Sequence, residues 1–206
     1  HPDTASPGPA IGFEEYSVSW WDHWLKEENT DLSKIPKLAA YLQTETPGKV
    51  TPNDVPGYWV AENVWPKTNT ESIDYAITAK GLAIDNDPKP QTIKLKPDQT
   101  IGLNGGTWLG GISTDQREDD SKSLTFDTAI LTEDMEIVGN PQLEIELSVD
   151  KPMAFVAVRL NEVEPDGSSW RVCRSVQNLA HRVDLATPLP IEPEKIYTVK
   201  VDLGFT

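Results

Sequence analysis

The 206-residue chain is long enough for one ordinary domain, or for one domain and a fragment of another. Its 33 acidic against 18 basic residues leave a formal net charge of −15, which argues against nucleic acid or an anionic membrane as partner and otherwise gives a solvated surface. Cys173 is the single cysteine, so no internal disulfide can form, and no apolar run approaches the ~20 residues of a membrane span. With no basic and apolar leader at its start, the sequence favours the cytoplasm over secretion.

His1 to Gly12 mixes proline and glycine with small residues and reads as a loop. From Phe13 to about Glu27 the spacing becomes helical. Phe13, Tyr16, Trp20, Trp21, Trp24 and Leu25 recur at three- and four-residue intervals, and Glu14 and Glu15 sit where the helix dipole favours acid. An aromatic stripe of this kind is expected to be core. The chain after it is too β-like and too short to cover it all, so the helix is expected to belong to a larger body. A short buried strand is predicted over about 37–43, a turn-rich segment over 46–56, and alternating apolar and aromatic residues over 58–65. A first strand of the next body is expected over 72–82, with Gly81 able to turn it, and another over 92–95. Leu103-Asn104-Gly105-Gly106 is a tight-turn signal, and 110–122 reads as an acidic loop.

The strongest pattern lies between Leu124 and Arg182. Leu143, Ile145, Leu147 and Val149 alternate with Glu144, Glu146 and Ser148, the mark of a strand with one face buried and one in water. Leu124, Phe126, Thr128 and Ile130 repeat the alternation weakly, and Ala154, Val156, Val158 and Leu160 repeat it again. Pro165-Asp166-Gly167 supplies turn chemistry, after which Trp170, Val172 and Val176 form a returning strand. Beyond the prolines at 188, 190 and 193, Tyr197, Val199, Val201 and Leu203 make a last strand. The whole reads as a mainly β protein built on an antiparallel β-sandwich. An unpaired edge on that last strand, together with the aromatic helix face, implies self-association and a possible homo-oligomer.

Few residues offer chemistry. The nearest approach to a nucleophile elbow is Gly111-Ile112-Ser113-Thr114-Asp115, with Asp in place of the second Gly and no helical pattern after it, so Ser113 reads as a loop residue. His23 lies inside the aromatic helix, where a packed or surface role is the simplest one. Asp85-Asn86-Asp87 and Glu118-Asp119-Asp120 could offer oxygens to Ca²⁺ but lack the EF-hand pattern and read as solvated loops. No metal and no cofactor is expected.

Several segments in order resemble one family. Asp115-Gln116-Arg117, Ser123 to Thr128, Leu131 to Gly139, Val158-Arg159-Leu160 with Pro165-Asp166-Gly167, and Asn178-Leu179-Ala180-His181-Arg182 are similar to the C-terminal domain of the cocaine-esterase-like (CocE/NonD) serine hydrolases, shared with the X-prolyl dipeptidyl-peptidases. The resemblance extends upstream to Pro7–Phe13 and Trp20–Lys26 and thins between about Lys67 and Leu109. It implies a jelly-roll (galactose-binding-like) sandwich over residues 65–206, lacking its last strands. Residues 1–64 would be the C-terminal tail of an α/β-hydrolase domain, with both ends of the chain cut. The upstream catalytic domain is then the implied partner, and the sandwich packs on it and shapes its substrate entrance. In the resembling enzymes the catalytic His lies in a Trp-x-His segment just before the Pro-Gly-Pro-x-Ile-Gly-Phe loop. His1 is the one histidine near that place, but its spacing better matches a position just after the catalytic His. The Ser, the Asp and the His of the triad are therefore expected upstream, and the chain by itself is expected to be inactive. His181 falls in the non-catalytic domain and is expected to hydrogen-bond structurally. The competing reading is a free-standing jelly-roll module for carbohydrate or another ligand, using a platform of exposed aromatics among Trp59, Trp65, Trp108 and Trp170.

Overall fold

The computed structural model of the chain describes residues 11–32, 35–46, 55–65, 71–84, 91–105, 114–204 and 206. His1, Asp85-Asn86-Asp87, Trp108 and Ser113 lie outside them. The architecture is mainly β, with antiparallel pairing throughout the described ladders, and the chain divides into two compact units, His1–Met135 and Glu136–Thr206.

In the first unit the helical spacing becomes α1, Phe13–Lys26. Gly12 precedes it in the left-handed region (φ 66°), Glu27 ends it in the same region, and the Glu27 N–H closes the last turn on the Asp22 carbonyl. Lys26 pairs with Asp22 one turn back at 2.6 Å. Strand β1, Leu38–Gln43, pairs with β2, Gly57–Glu62, in a register that sets Tyr41 opposite Trp59. Leu42 and Val55 are buried there, and the Tyr41 hydroxyl donates to the Val55 carbonyl at 3.1 Å.

The strand expected over 72–82 is instead a hairpin, β3 (Tyr75–Thr78) and β4 (Gly81–Ile84), joined through a turn at 79–80. Gly81 is required: its φ is 122°, and a Cβ there would run into the Asp127 carbonyl oxygen. The strands expected at 92–95 and 124–130 do not form. Ile93, Leu95, Leu124 and Ile130 are exposed, and what joins 124–130 to β4 is the Leu82 N–H donating to the Asp127 carbonyl at 2.7 Å. Alternation predicts which face could be buried; it does not supply the neighbouring edge that a strand needs. The acidic segment 110–122 holds a short helix, α2, Arg117–Asp120.

The second unit is the sandwich-like part. Strand β5, Gln142–Leu147, pairs with β8, Tyr197–Asp202, and β6, Phe155–Val163, pairs with β7, Ser169–Asn178. Period-two alternation works here as predicted. Leu143, Ile145 and Leu147 face Val201, Val199 and Tyr197 across the ladder. Leu179, Ile191, Val199 and Val201 form the buried core, and Leu143, Leu147, Val149, Ala154, Val156, Val158 and Tyr197 pack on it. Full burial of each valine contributes about 1.5–3 kcal/mol. The 164–168 turn closes with Glu164 N–H on the Ser168 carbonyl and Gly167 (φ 81°) on that of Glu164. The last strand, β8, is laddered to β5 over six residues, which occupies one of its two edges; no second ladder to it forms among the described residues.

Candidate functional site

Three places collect the residues that the sequence singles out, and two of them are backbone clamps. In the first, Gln116 is fully buried, and its Nε2 donates to the carbonyls of Asn104 at 2.6 Å and Thr114 at 2.7 Å. Asp119, also buried, accepts the Asn104 N–H on Oδ2 at 3.2 Å, while its carbonyl accepts from the Ser123 hydroxyl at 2.7 Å. Asp115 caps the same turn, accepting the Arg117 N–H and pairing with its guanidinium at 2.6 Å. The Asp115-Gln116-Arg117 motif thus ties the 103–105 turn to α2. This corrects the reading of Glu118-Asp119-Asp120 as a solvated loop: Asp119 is an internal acceptor, and only its neighbours face water. Glu118 is held below the usual carboxylate range by its hydrogen bond and charge pairing with Lys122.

The second clamp follows β7. The Asn178 side chain accepts the Ala180 N–H at 3.0 Å and so starts the 3₁₀ turn Leu179–His181, which drops Leu179 into the core. Arg182 then donates to the carbonyls of Leu179 at 2.9 Å, Leu189 at 3.0 Å and Pro190 at 3.3 Å, and stacks over the Tyr197 ring at 4.3 Å. Gln177 adds a bond to the His181 carbonyl at 3.0 Å. The His181 ring is spent on backbone, its Nδ1 lying 3.2 Å from the Asp184 carbonyl.

The third place is the aromatic face of α1, which this chain does not bury. No residue of α1 is buried, and Trp20, Trp21 and Trp24 are 47%, 55% and 59% exposed. Trp20 and Trp24 touch each other with ring centroids 5.9 Å apart, and His23 meets Trp24 edge-on at 4.9 Å. The His23 Nδ1 is inaccessible to water and has no hydrogen-bond partner among the described residues. A one-turn ladder of indoles held this way is a ready surface for another apolar face.

The other candidates do not converge into a site. Trp59 is half-buried edge-on against Tyr41 at 5.4 Å, and Trp170 is half-buried with its indole N–H on the Ser168 hydroxyl at 3.1 Å. Trp59 thus has one edge taken and Trp170 its indole N–H, while Trp65 is exposed. Cys173 is half-buried, and burial pushes its thiol up. Among the described residues no three His, Cys, Asp or Glu side chains gather closely enough to hold a metal ion, and no helix is long and apolar enough to cross a membrane.

Comparison with known proteins places these features. Over 203 aligned residues the chain is 23% identical to the cocaine esterase of Rhodococcus sp. (strain MB1 Bresler), an alignment that takes in 90% of this chain and 33% of the esterase. The chain therefore spans about a third of the length of that relative. Residues 29–206 match the X-Pro dipeptidyl-peptidase C-terminal non-catalytic domain, a span that holds both clamps and strands β1 to β8 of the described residues and leaves α1 outside. With so much of its length matched, the chain belongs to the family of X-Pro dipeptidyl-peptidase C-terminal non-catalytic domains.

Proposed function

We propose that this chain is the non-catalytic jelly-roll portion of a serine acyl hydrolase of the esterase or X-Pro dipeptidyl-peptidase type, packing on an α/β-hydrolase domain and shaping its substrate entrance. The observation that carries the reading is α1. Its tryptophans are too exposed to serve this chain as core, and it lies outside the residues matched to the non-catalytic domain. A helix of that kind fits the closing element of the preceding domain, with residues 1–64 as that domain's tail and the sandwich beginning near Trp65. The family match starting at residue 29 takes in the β1–β2 ladder, so the boundary near Trp65 rests on α1.

The clamps support a structural role as well. Gln116 and Arg182 spend their donors on main-chain carbonyls, and His181 Nδ1 lies against another, which is how side chains hold a backbone in place. The test is hydrolysis of p-nitrophenyl acetate by the 206-residue chain, with a serine-directed fluorophosphonate probe alongside. The expected result is no turnover above background and no label. Labelling of a defined serine, Ser113 above all, would overturn the non-catalytic reading.

A further inference from the structure

The outward face of the β6–β7 pair is not the polar surface that a half-buried sheet should show. Val156 and Val158 point into the core, so Phe155, Ala157, Arg159, Asn161 and Val163 point the other way. The partners across the ladder on that outer face are Asn178, Val176 and Arg174, opposite Phe155, Ala157 and Arg159. Between Leu160 and Asn161 the register slips by one residue: Cys173 faces Leu160, Arg171 faces Asn161, and Val172 is the extra residue. This bulge decides the chemistry. In a regular strand Arg171 and Arg174 would lie on opposite faces; the bulge brings both onto the face of Arg159. Arg159 and Arg174 sit directly opposite each other, an arrangement of like charges that costs stability. Burial, then Arg174 and Arg159, hold the Arg171 guanidinium below its ordinary value. In a chain of net charge −15, three arginines are gathered beside an apolar patch where Phe155 is 67% and Val176 59% exposed.

The chain also carries a segment of the complementary kind. From Ile130 to Met135 it runs outside any helix or ladder, with Ile130 95% exposed, Leu131 and Met135 exposed, and Glu133 and Asp134 in water. The chain bends at Thr132 and Glu133, so its apolar residues Ile130 and Leu131 come before the bend and its two carboxylates at and just after it.

We propose that the arginine face of β6–β7 is a self-association surface that takes the Ile130–Met135 segment of a second copy of this chain, apolar side chains on Phe155, Ala157 and Val176 and a carboxylate on Arg174. Arg159 and Arg171 keep further interactions inside their own chain, so Arg174 is the arm to test. Repulsion between two chains of charge −15 keeps the dimer weak, with a dissociation constant on the order of 10–100 µM at about 0.1 M ionic strength.

Sedimentation velocity on the 206-residue chain, at fixed ionic strength, is the test. Arg174→Glu should weaken association at least about tenfold. So should the pair Glu133→Lys with Asp134→Lys, although it raises the net charge from −15 to −11, two per carboxylate, and on charge alone should strengthen it. Mixing the two variants should restore a dimer within about threefold of the original, because in the mixed pair both contacts are again attractive. Restoration also shows that both variants are folded. A wild-type chain that stays monomeric throughout, variants that self-associate as well as the wild type (as dimerisation through α1 would give), or a mixture that stays monomeric would each overturn the proposal.

Discussion

Replacing Arg182 should destabilise the second unit more than any other single surface-accessible change. Its guanidinium reaches three carbonyls, those of Leu179, Leu189 and Pro190, at 2.9, 3.0 and 3.3 Å, and covers the Tyr197 ring. Hydrogen bonds from a charged donor are worth about 1.5–3 kcal/mol each when protected, but this group is partly solvated and two of its bonds share one nitrogen. Discounting for that and adding about 0.5–1 kcal/mol for the stacked ring gives about 2–4 kcal/mol for Arg182→Ala. Arg182→Lys keeps the charge and loses the planar fork, so it should recover less than half. The assay is thermal unfolding by circular dichroism, with hydrogen exchange read over peptides covering 179–197. The alanine variant should lose about 10 °C in Tm and lose protection in that window first. A lysine variant indistinguishable from wild type, or an alanine variant within about 0.5 kcal/mol of it, would refute the clamp argument.

The remaining expectations are smaller in scale. Trp20→Ser together with Trp24→Ser should leave the Tm of this chain within about 2 °C, since little packing is lost, while cutting the binding of a hydrophobic dye; a large fall in Tm would mean the indoles are packed after all. Cys173 should react with iodoacetamide at a half-maximal pH above the ordinary thiol value of about 8.5, because burial disfavours its thiolate, although a bond from Thr206 pulls the other way. The sign for stability follows: a raised thiol pKa in the folded state is a contribution intact below about pH 8.5 and lost as the pH climbs through the folded value, and Cys173→Ser should flatten that decline. Half-maximal alkylation at or below 8.5 in the folded chain would contradict it.

The second unit was the legible part of the sequence. Period-two alternation fixes a strand's two faces, and where a partner of matching length exists, as for Leu143–Leu147 against Tyr197–Val201, that is enough to name the core. The same alternation misled at 124–130, which meets β4 through the Leu82 N–H on the Asp127 carbonyl without forming a ladder and leaves Ile130 in water. Period 3.6 located α1 to within a residue and says which face is apolar, but nothing about what covers that face. The buried Gln116 and Asp119 were hidden for a different reason. Composition marks an acidic stretch as solvated, and only the fold reveals that the 103–105 turn presents bare amides and carbonyls to it. The bulge at Val172 was invisible too: by parity Arg171 and Arg174 belong on opposite faces, and a one-residue slip undoes that.

The segments that carry the family resemblance turn out to do one kind of work. Asp115-Gln116-Arg117 closes a turn, Pro165-Asp166-Gly167 reverses the chain between β6 and β7, and Asn178 to Arg182 seats Leu179 and pins the loop that leads to β8. Each sets main-chain groups in place, and where such groups are buried, as around Gln116, leaving one without a partner costs about 1–3 kcal/mol. Residues used in this way specify a backbone and leave substrate choice open. Outward surfaces, such as the indoles of α1 and the arginines of β6–β7, are under no such backbone constraint. The surfaces, and not the motifs, are where this chain's particular partners should be sought.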